Sequence, residues 1–117
     1  MYVLATGSIL GGGTVTSFDG HAHEIIFGLP IHIPESREQW FANEFLSNAG
    51  HPIHKTGLRV DSSFRPIDLE NNVLFPNLLV VGNSLDSCDP IRELSMEGIA
   101  LASAYKVGKS LSQQDSR

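Results

Sequence analysis

The chain has 117 residues, with 13 acidic and 8 basic side chains, a formal net charge of -5 and a single cysteine. That length accommodates one domain with a modest core. The acidic balance and scattered bases leave no electrostatic footprint for nucleic acid, the lone thiol excludes an internal disulfide and fits a reducing compartment, and no apolar run approaches the ~20 residues of a membrane span.

Met1 to Gly13 lacks the basic start and apolar core of a signal peptide, so the expected location is the cytoplasm, with peripheral attachment to the inner membrane through partners left open. Tyr2 to Ala5 reads as a short apolar strand closed by Thr6-Gly7. A strand at the very first residues, with no lead-in, predicts that the chain is the C-terminal piece of a longer protein or a gene product that starts internally. The triple glycine Gly11-Gly12-Gly13 allows a sharp turn or a close approach to a ligand, but has neither the lysine of a P-loop nor the spacing of a dinucleotide fingerprint. Thr14 to Phe18 alternates with strand period, Asp19-Gly20 is turn chemistry, and Glu24 to Phe27 supplies a second strand, so a hairpin is expected. Ser36 to Gln39 matches a capping box and predicts a helix from Arg37 to Asn48 whose apolar face, Trp40, Phe41, Phe45 and Leu46, is read as core, with a cofactor-facing wall as the alternative.

His51, His54 and Lys55 then cluster before a short strand at Leu58 to Asp61. With His21, His23 and His32 they invite a metal reading, but no cysteine pair or His-Glu-x-x-His helix accompanies them, and no metal is expected. Leu78 to Val81 is a continuous apolar run, the pattern of a strand covered on both faces, and it stops at Gly82. Asn83 to Ser87 is polar turn chemistry, Asp89 suits an N-cap and Pro90 a first helical position. The helix expected from there places Ile91, Leu94, Gly98, Leu101, Ala102 and Tyr105 on one face, and Ser110 to Arg117 reads as a frayed polar tail. A strand, a tight turn and a helix N-terminus over a sheet edge form an anion-receptive unit in many α/β folds.

The strand end Ala5-Thr6-Gly7, the later strand end Gly82-Asn83 and the helix with Met96-Glu97-Gly98-Ile99-Ala100 together resemble flavoproteins of the two-dinucleotide-binding-domain type. Ile26 to Pro30, His51-Pro52, Gly57, Val60-Asp61, Arg65-Pro66 and, above all, Gly82 to Asp86 with Cys88 to Glu93 look like the C-terminal part of the B-subunit family of anaerobic glycerol-3-phosphate dehydrogenases. The resemblance implies an α/β fragment of an FAD/NAD(P)-binding Rossmann-like fold, residues 1–13 and 66–111, interrupted by a small α+β substrate or cap segment, 14–65, with 112–117 disordered. It implies a flavin, FMN or FAD, and Thr6, Gly7, Gly82, Asn83, Ser84, Glu97, Gly98 and Ile99 near it.

The implied activity is oxidation of glycerol 3-phosphate to dihydroxyacetone phosphate in a multi-subunit complex that passes electrons to membrane quinone. Lys55, Arg65 and Arg92 are candidates for the substrate phosphate, and His51 or His54 for the catalytic base. Two departures stand out. Asn83 occupies the position where that family usually carries an acid, and no Gly-x-Gly-x-x-Gly unit is present, so the fragment alone is expected to be inactive. A fumarate-reductase-like oxidoreductase of another substrate and a non-catalytic assembly fragment are the rival readings. Asp89, Arg92 and Glu93 also read as simple helix capping. Cys88 reads as inert packing or as a thiol whose pKa a helix N-terminus lowers.

Overall fold

In the computed structural model, which describes residues 1–116, β1 (Tyr2–Leu4) and β4 (Leu78–Val80) lie side by side in parallel, Tyr2 opposite Leu78 and Leu4 opposite Val80. Between them fall the antiparallel pair β2 (Thr14–Thr16) and β3 (Ala22–Glu24), and after them α1 (Met96–Asp115). Short 3-10 turns occupy Arg37–Gln39, Pro52–Lys55 and Gly82–Ser84. The mixed α/β content agrees with the fold class expected from sequence.

β4 is the two-faced strand its composition predicts. Leu78 and Val80 pack with Leu4, Leu29 and Leu58, while Leu79 and Val81 turn the other way onto Val107 of α1. Each of these buried aliphatic side chains contributes on the order of 2 kcal/mol. Parallel sheets are stable only when covered in this way. The ladder runs past the strand, from the Val81 N–H to the Leu4 carbonyl at 3.0 Å, and so carries the two strand ends forward together.

Several local expectations are corrected, two of them by a side chain that takes backbone bonds from the expected element. The second hairpin strand is Ala22–Glu24 and not Glu24 to Phe27. The reason is Glu24, whose fully buried carboxylate accepts the N–H groups of Ile26 and Phe27 at 2.7 Å each and folds the chain into a turn there. Ile25, Ile26 and Phe27 are left exposed.

The helix expected from Arg37 to Asn48 shrinks to the turn Arg37–Gln39, and Ser36 makes no side-chain cap. His51 competes for the same backbone: its Nδ1 accepts the Ala42 N–H at 2.9 Å and its Nε2 reaches the Phe45 carbonyl at 3.0 Å, while Ile53 takes the Trp40 carbonyl. Of the expected aromatic core only Trp40 is buried; Phe45 is 88 % and Leu46 85 % exposed.

The last helix begins at Met96, not at Pro90. Asp89 does cap a turn, its Oδ1 accepting the Arg92 N–H at 3.0 Å, but the backbone turns left-handed at Leu94 (φ 51°) before α1 starts. The face of α1 that meets the sheet carries Ser103 and Val107, with Leu111 alongside; Leu101 and Tyr105, expected inside, are 72 % and 73 % exposed. Two residues of offset is about 200° around a helix, so they occupy the opposite side. α1 also runs on to Asp115, through most of the expected frayed tail, and Arg117 lies outside the described residues.

Candidate functional site

The parallel pairing of β1 and β4 brings Thr6-Gly7 and Gly82-Asn83-Ser84, seventy-odd positions apart in the chain, to adjoining strand ends. Ser84 clasps them: its buried hydroxyl accepts the Gly7 N–H at 3.0 Å and donates to the Gly7 carbonyl at 3.2 Å. Gly7 and Gly82 both hold left-handed backbone, φ 85° and 76°, which glycine adopts without strain. The Gly82 N–H is in turn held at 2.8 Å by Ser103 Oγ of α1, which donates back to the Ile99 carbonyl at 2.7 Å. α1 is thereby locked to the strand end through one hydroxyl.

Two side-chain atoms at these ends are buried without partners, Thr6 Oγ1 and Asn83 Oδ1. Buried polar atoms normally find a hydrogen bond, and orphaned ones at a strand end suit a ligand rich in hydroxyl groups. Glu97 and Gly98 are exposed in the first turn of α1, and Ile99 is half-buried. Gly13, read from sequence as room for a sharp turn or a close approach to a ligand, makes a close approach to the chain's own backbone. A Cβ there would collide with the carbonyl oxygens of Thr6 and Gly7, so the glycine loop is packed directly against the strand end.

Two cavities lie apart from these strand ends, neither lined by Thr6, Gly7, Gly82, Asn83 or Ser84. The larger, about 750 Å³, is lined by His32, Lys55, Thr56, Asp89, Arg92 and Glu93 among others. Lys55 and Arg92, two of the three phosphate candidates, therefore share one cavity. Arg65 does not line it; its guanidinium is spent on Asp61, with Nε at 2.8 Å and Nη2 at 2.6 Å from Oδ2. The smaller cavity, about 290 Å³, holds Trp40 and His54. The Pro52–Lys55 turn forms the wall between them, giving Lys55 to one side and His54 to the other.

The histidines separate by their bonding. Both ring nitrogens of His51 are engaged by backbone, as above, which makes it a structural clamp. His54 makes no side-chain hydrogen bond among those of the described residues and stacks edgewise on His51 with centroids 5.5 Å apart. A pair not anticipated from sequence stands at the larger cavity, which His32 lines: His32 Nδ1 lies 2.9 Å from Asp86 Oδ2. The signal was hidden because the two residues are far apart in the chain and meet only where Gly57 pairs with His32 and Leu58 with Leu85.

Among the described residues no three His, Cys, Asp or Glu side chains gather to hold a metal ion, and no helix is long and apolar enough to cross a membrane. The Cys88 thiol is pushed up, first by burial and then by the negative charges of Glu93 and Asp86, opposite to the activated alternative read from the sequence.

Glycine-bearing ends of neighbouring parallel strands, with unpaired polar atoms and a helix packed beside them, are the arrangement of a nucleotide-cofactor-binding α/β protein. Residues 1–99 match the model of the FAD binding domain family, and the chain belongs to that family, whose cofactor is the flavin FAD. It is 32 % identical over 113 residues to the B subunit of the anaerobic glycerol-3-phosphate dehydrogenase of Aliivibrio fischeri, covering 97 % of this chain and 24 % of that protein. The corresponding protein of Vibrio vulnificus is 36 % identical over 103 residues, 88 % of this chain and 23 % of its own length. A probable B subunit of the same dehydrogenase from Halobacterium salinarum is 30 % identical over 112 residues, 96 % of this chain and 26 % of that protein. The resemblance read from the motifs is thus borne out, and the chain spans about a quarter of the length of these relatives. No solved structure matches it.

Proposed function

We propose that this chain is the flavin-contacting C-terminal region of a glycerol-3-phosphate dehydrogenase subunit, which oxidises glycerol 3-phosphate to dihydroxyacetone phosphate with other subunits and passes the electrons to quinone. The observation that carries the cofactor half of this reading is the pair of orphaned atoms, Thr6 Oγ1 and Asn83 Oδ1, on adjoining strand ends. They fit the hydroxyl-rich chain of a flavin. Asn83 in place of the usual acid keeps an acceptor there and removes a charge. Gly7 and Gly82 leave the backbone bare for a close approach, and Gly98 does the same in the first turn of α1. A helix N-terminus carries about half a positive charge, contributing ~0.3 to 1 kcal/mol to a negative group beside it. When bound, a flavin supplies the hydride acceptor for a secondary alcohol.

The substrate half rests on the larger cavity. Lys55 and Arg92 are its two strong cations and would hold the phosphate. His32 would take the hydroxyl proton. An Nδ1–H donated to Asp86 fixes the imidazole and leaves Nε2 as a free acceptor, the arrangement of an oriented general base. In this reading His51 does not act chemically, and His54, on the other side of the wall, meets no substrate seated in that cavity. The open edge of β1 and the exposed apolar outer face of α1 support packing against further protein, in keeping with relatives named as subunits.

The test is a titration of the chain with FAD and with FMN, followed by quenching of flavin fluorescence. FAD should bind saturably, and Thr6→Val and Asn83→Ala should each weaken it about fivefold, the worth of one hydrogen bond. No binding of either flavin, or binding by the two variants as tight as by the native chain, overturns the cofactor half.

A further inference from the structure

The smaller cavity has a chemical character unlike the rest of the molecule. In a chain of net charge -5, its lining contains no aspartate and no glutamate. Its walls are apolar, chiefly Ile9, Leu10, Phe41, Ile53, Pro90 and Ile91. Its polar members are the donors Arg37 and Trp40, the imidazole of His54 and the hydroxyls of Ser8, Thr16 and Thr56, none of them acidic. Arg37 stands at the wall with its guanidinium carbon 4.9 Å from the Trp40 ring centroid and 5.9 Å from that of Phe18, and forms no ion pair among the described residues. Trp40 is 6 % exposed, and its indole Nε1–H is buried with no acceptor. His54 brings an imidazole that makes no hydrogen bond of its own among the described residues.

A cation with no anionic partner, held only by the Phe18 carbonyl at 3.5 Å, an orphaned N–H and a half-open apolar chamber of about 290 Å³ call for one kind of occupant. It must carry a negative acceptor for Arg37 and the donors around it, and an apolar body for the aliphatic and aromatic walls. The volume sits at the lower end of small-molecule pockets, so the body is one or two rings, or a short branched chain. Glycerol 3-phosphate lacks that body. We infer that this cavity binds a small organic carboxylate with an apolar body, separately from the flavin and from the cavity of Lys55 and Arg92.

Stacking against two aromatic rings holds the Arg37 guanidinium at the cavity wall, so little side-chain freedom is lost when the anion arrives. A carboxylate oxygen that reached the indole edge of Trp40 would also satisfy its N–H, which the fold otherwise buries unpaired.

The protein carries its own reporter, because Trp40 is its single tryptophan. Titration of the chain with benzoate should change Trp40 emission saturably, with half-saturation on the order of millimolar for so small a ligand. Benzamide has the same body without the charge and should bind at least tenfold more weakly. Inorganic phosphate has charge without the body and should leave the emission unchanged. Arg37→Gln, at an exposed position, should weaken benzoate about tenfold, as expected for loss of one charge-assisted hydrogen bond. Trp40→Phe, measured by calorimetry, should weaken it about fivefold. Absence of saturation, benzamide binding as tightly as benzoate, a matching response to phosphate, or unchanged affinity in Arg37→Gln would each overturn the inference. Flavin titration is read separately at the flavin's own emission, so failure to bind FAD with retained benzoate binding refutes the cofactor reading and leaves this one standing.

Discussion

The turn at Asp61 is where the electrostatics of this chain can be tested most directly. Asp61 Oδ1 accepts the N–H groups of Ser63 and Arg65 at 2.9 Å each, and Oδ2 takes the Arg65 guanidinium through Nε and Nη2. The turn this builds carries Phe64 at a left-handed φ of 66°, with its carbonyl receiving the Val80 N–H at 2.8 Å and its side chain packed against the cluster of Leu79, Val81 and Val107. One carboxylate therefore supports the flank of β4. In Asp61→Asn the side-chain oxygen still serves the two amides, while the amide NH₂ confronts the guanidinium and the charge is gone. A hydrogen bond to a charged group is worth about 1.5–3 kcal/mol, and partial exposure of the pair brings that down, so the expected loss is ~1–2 kcal/mol at pH 7. For a chain of this size that is a fall in Tm of roughly 4–10 °C.

The dependence on pH makes the test sharper. Burial is the largest single influence on Asp61 and pulls its pKa upward, but the Arg65 amide and guanidinium and the Ser63 amide together outweigh it, leaving the carboxyl below its ordinary 3.8. A carboxyl depressed in the folded state stabilises the fold above the unfolded value, and that contribution disappears as the pH falls through the folded value. Urea unfolding at pH 7, 5, 4 and 3 should therefore show the gap between native protein and Asp61→Asn constant down to about pH 5, then closing below the ordinary aspartate value. A gap that stays constant to pH 3, or none at pH 7, would refute the reasoning.

Ser84→Ala removes the hydroxyl that clasps both backbone groups of Gly7, and should cost about 2–3 kcal/mol in urea unfolding, with the strand ends of β1 and β4 losing amide-exchange protection first. Gly13→Ala should destabilise by more than ~2 kcal/mol in thermal unfolding, because its methyl meets the Thr6 and Gly7 carbonyls, whereas Gly12→Ala, with nothing nearby and only its φ of 80° to oppose it, should cost about 1 kcal/mol. Cys88 should react with iodoacetamide at pH 7.5 more slowly than free glutathione and speed up as the pH is raised, as burial and the Glu93 and Asp86 charges hold its thiol protonated; reaction faster than glutathione would contradict this.

Where the sequence was legible, a local rule coincided with the tertiary requirement. The unbroken run Leu78 to Val81 could only be a covered strand, and it is buried on both faces. Gly7 and Gly82 stand where positive φ is needed. Thr6 and Asn83, singled out by resemblance, are the residues whose side-chain atoms are left unpaired at the strand ends. The illegible parts share one cause, a side chain that captures backbone groups from a distant or unexpected segment. His51 dissolves a helix that periodicity and a capping box both supported, and Glu24 turns an apolar strand into a loop. Periodicity measures which side chains could face a core, and says nothing about competition for N–H and C=O groups.

The same competition explains α1. Apolar spacing favours burial of Leu101 and Tyr105, yet the helix presents Ser103 and Val107 to the sheet. On hydrophobic area alone the expected face should win by several kcal/mol, since a buried leucine is worth about 2 and a tyrosine more. Exposing them is tolerable if that face is itself covered by further protein, and the serine then decides the rotation because a half-buried, left-handed Gly82 has an N–H that must be satisfied. The slim, small-residue side of α1 thus faces the strand end, and its bulky side stays exposed.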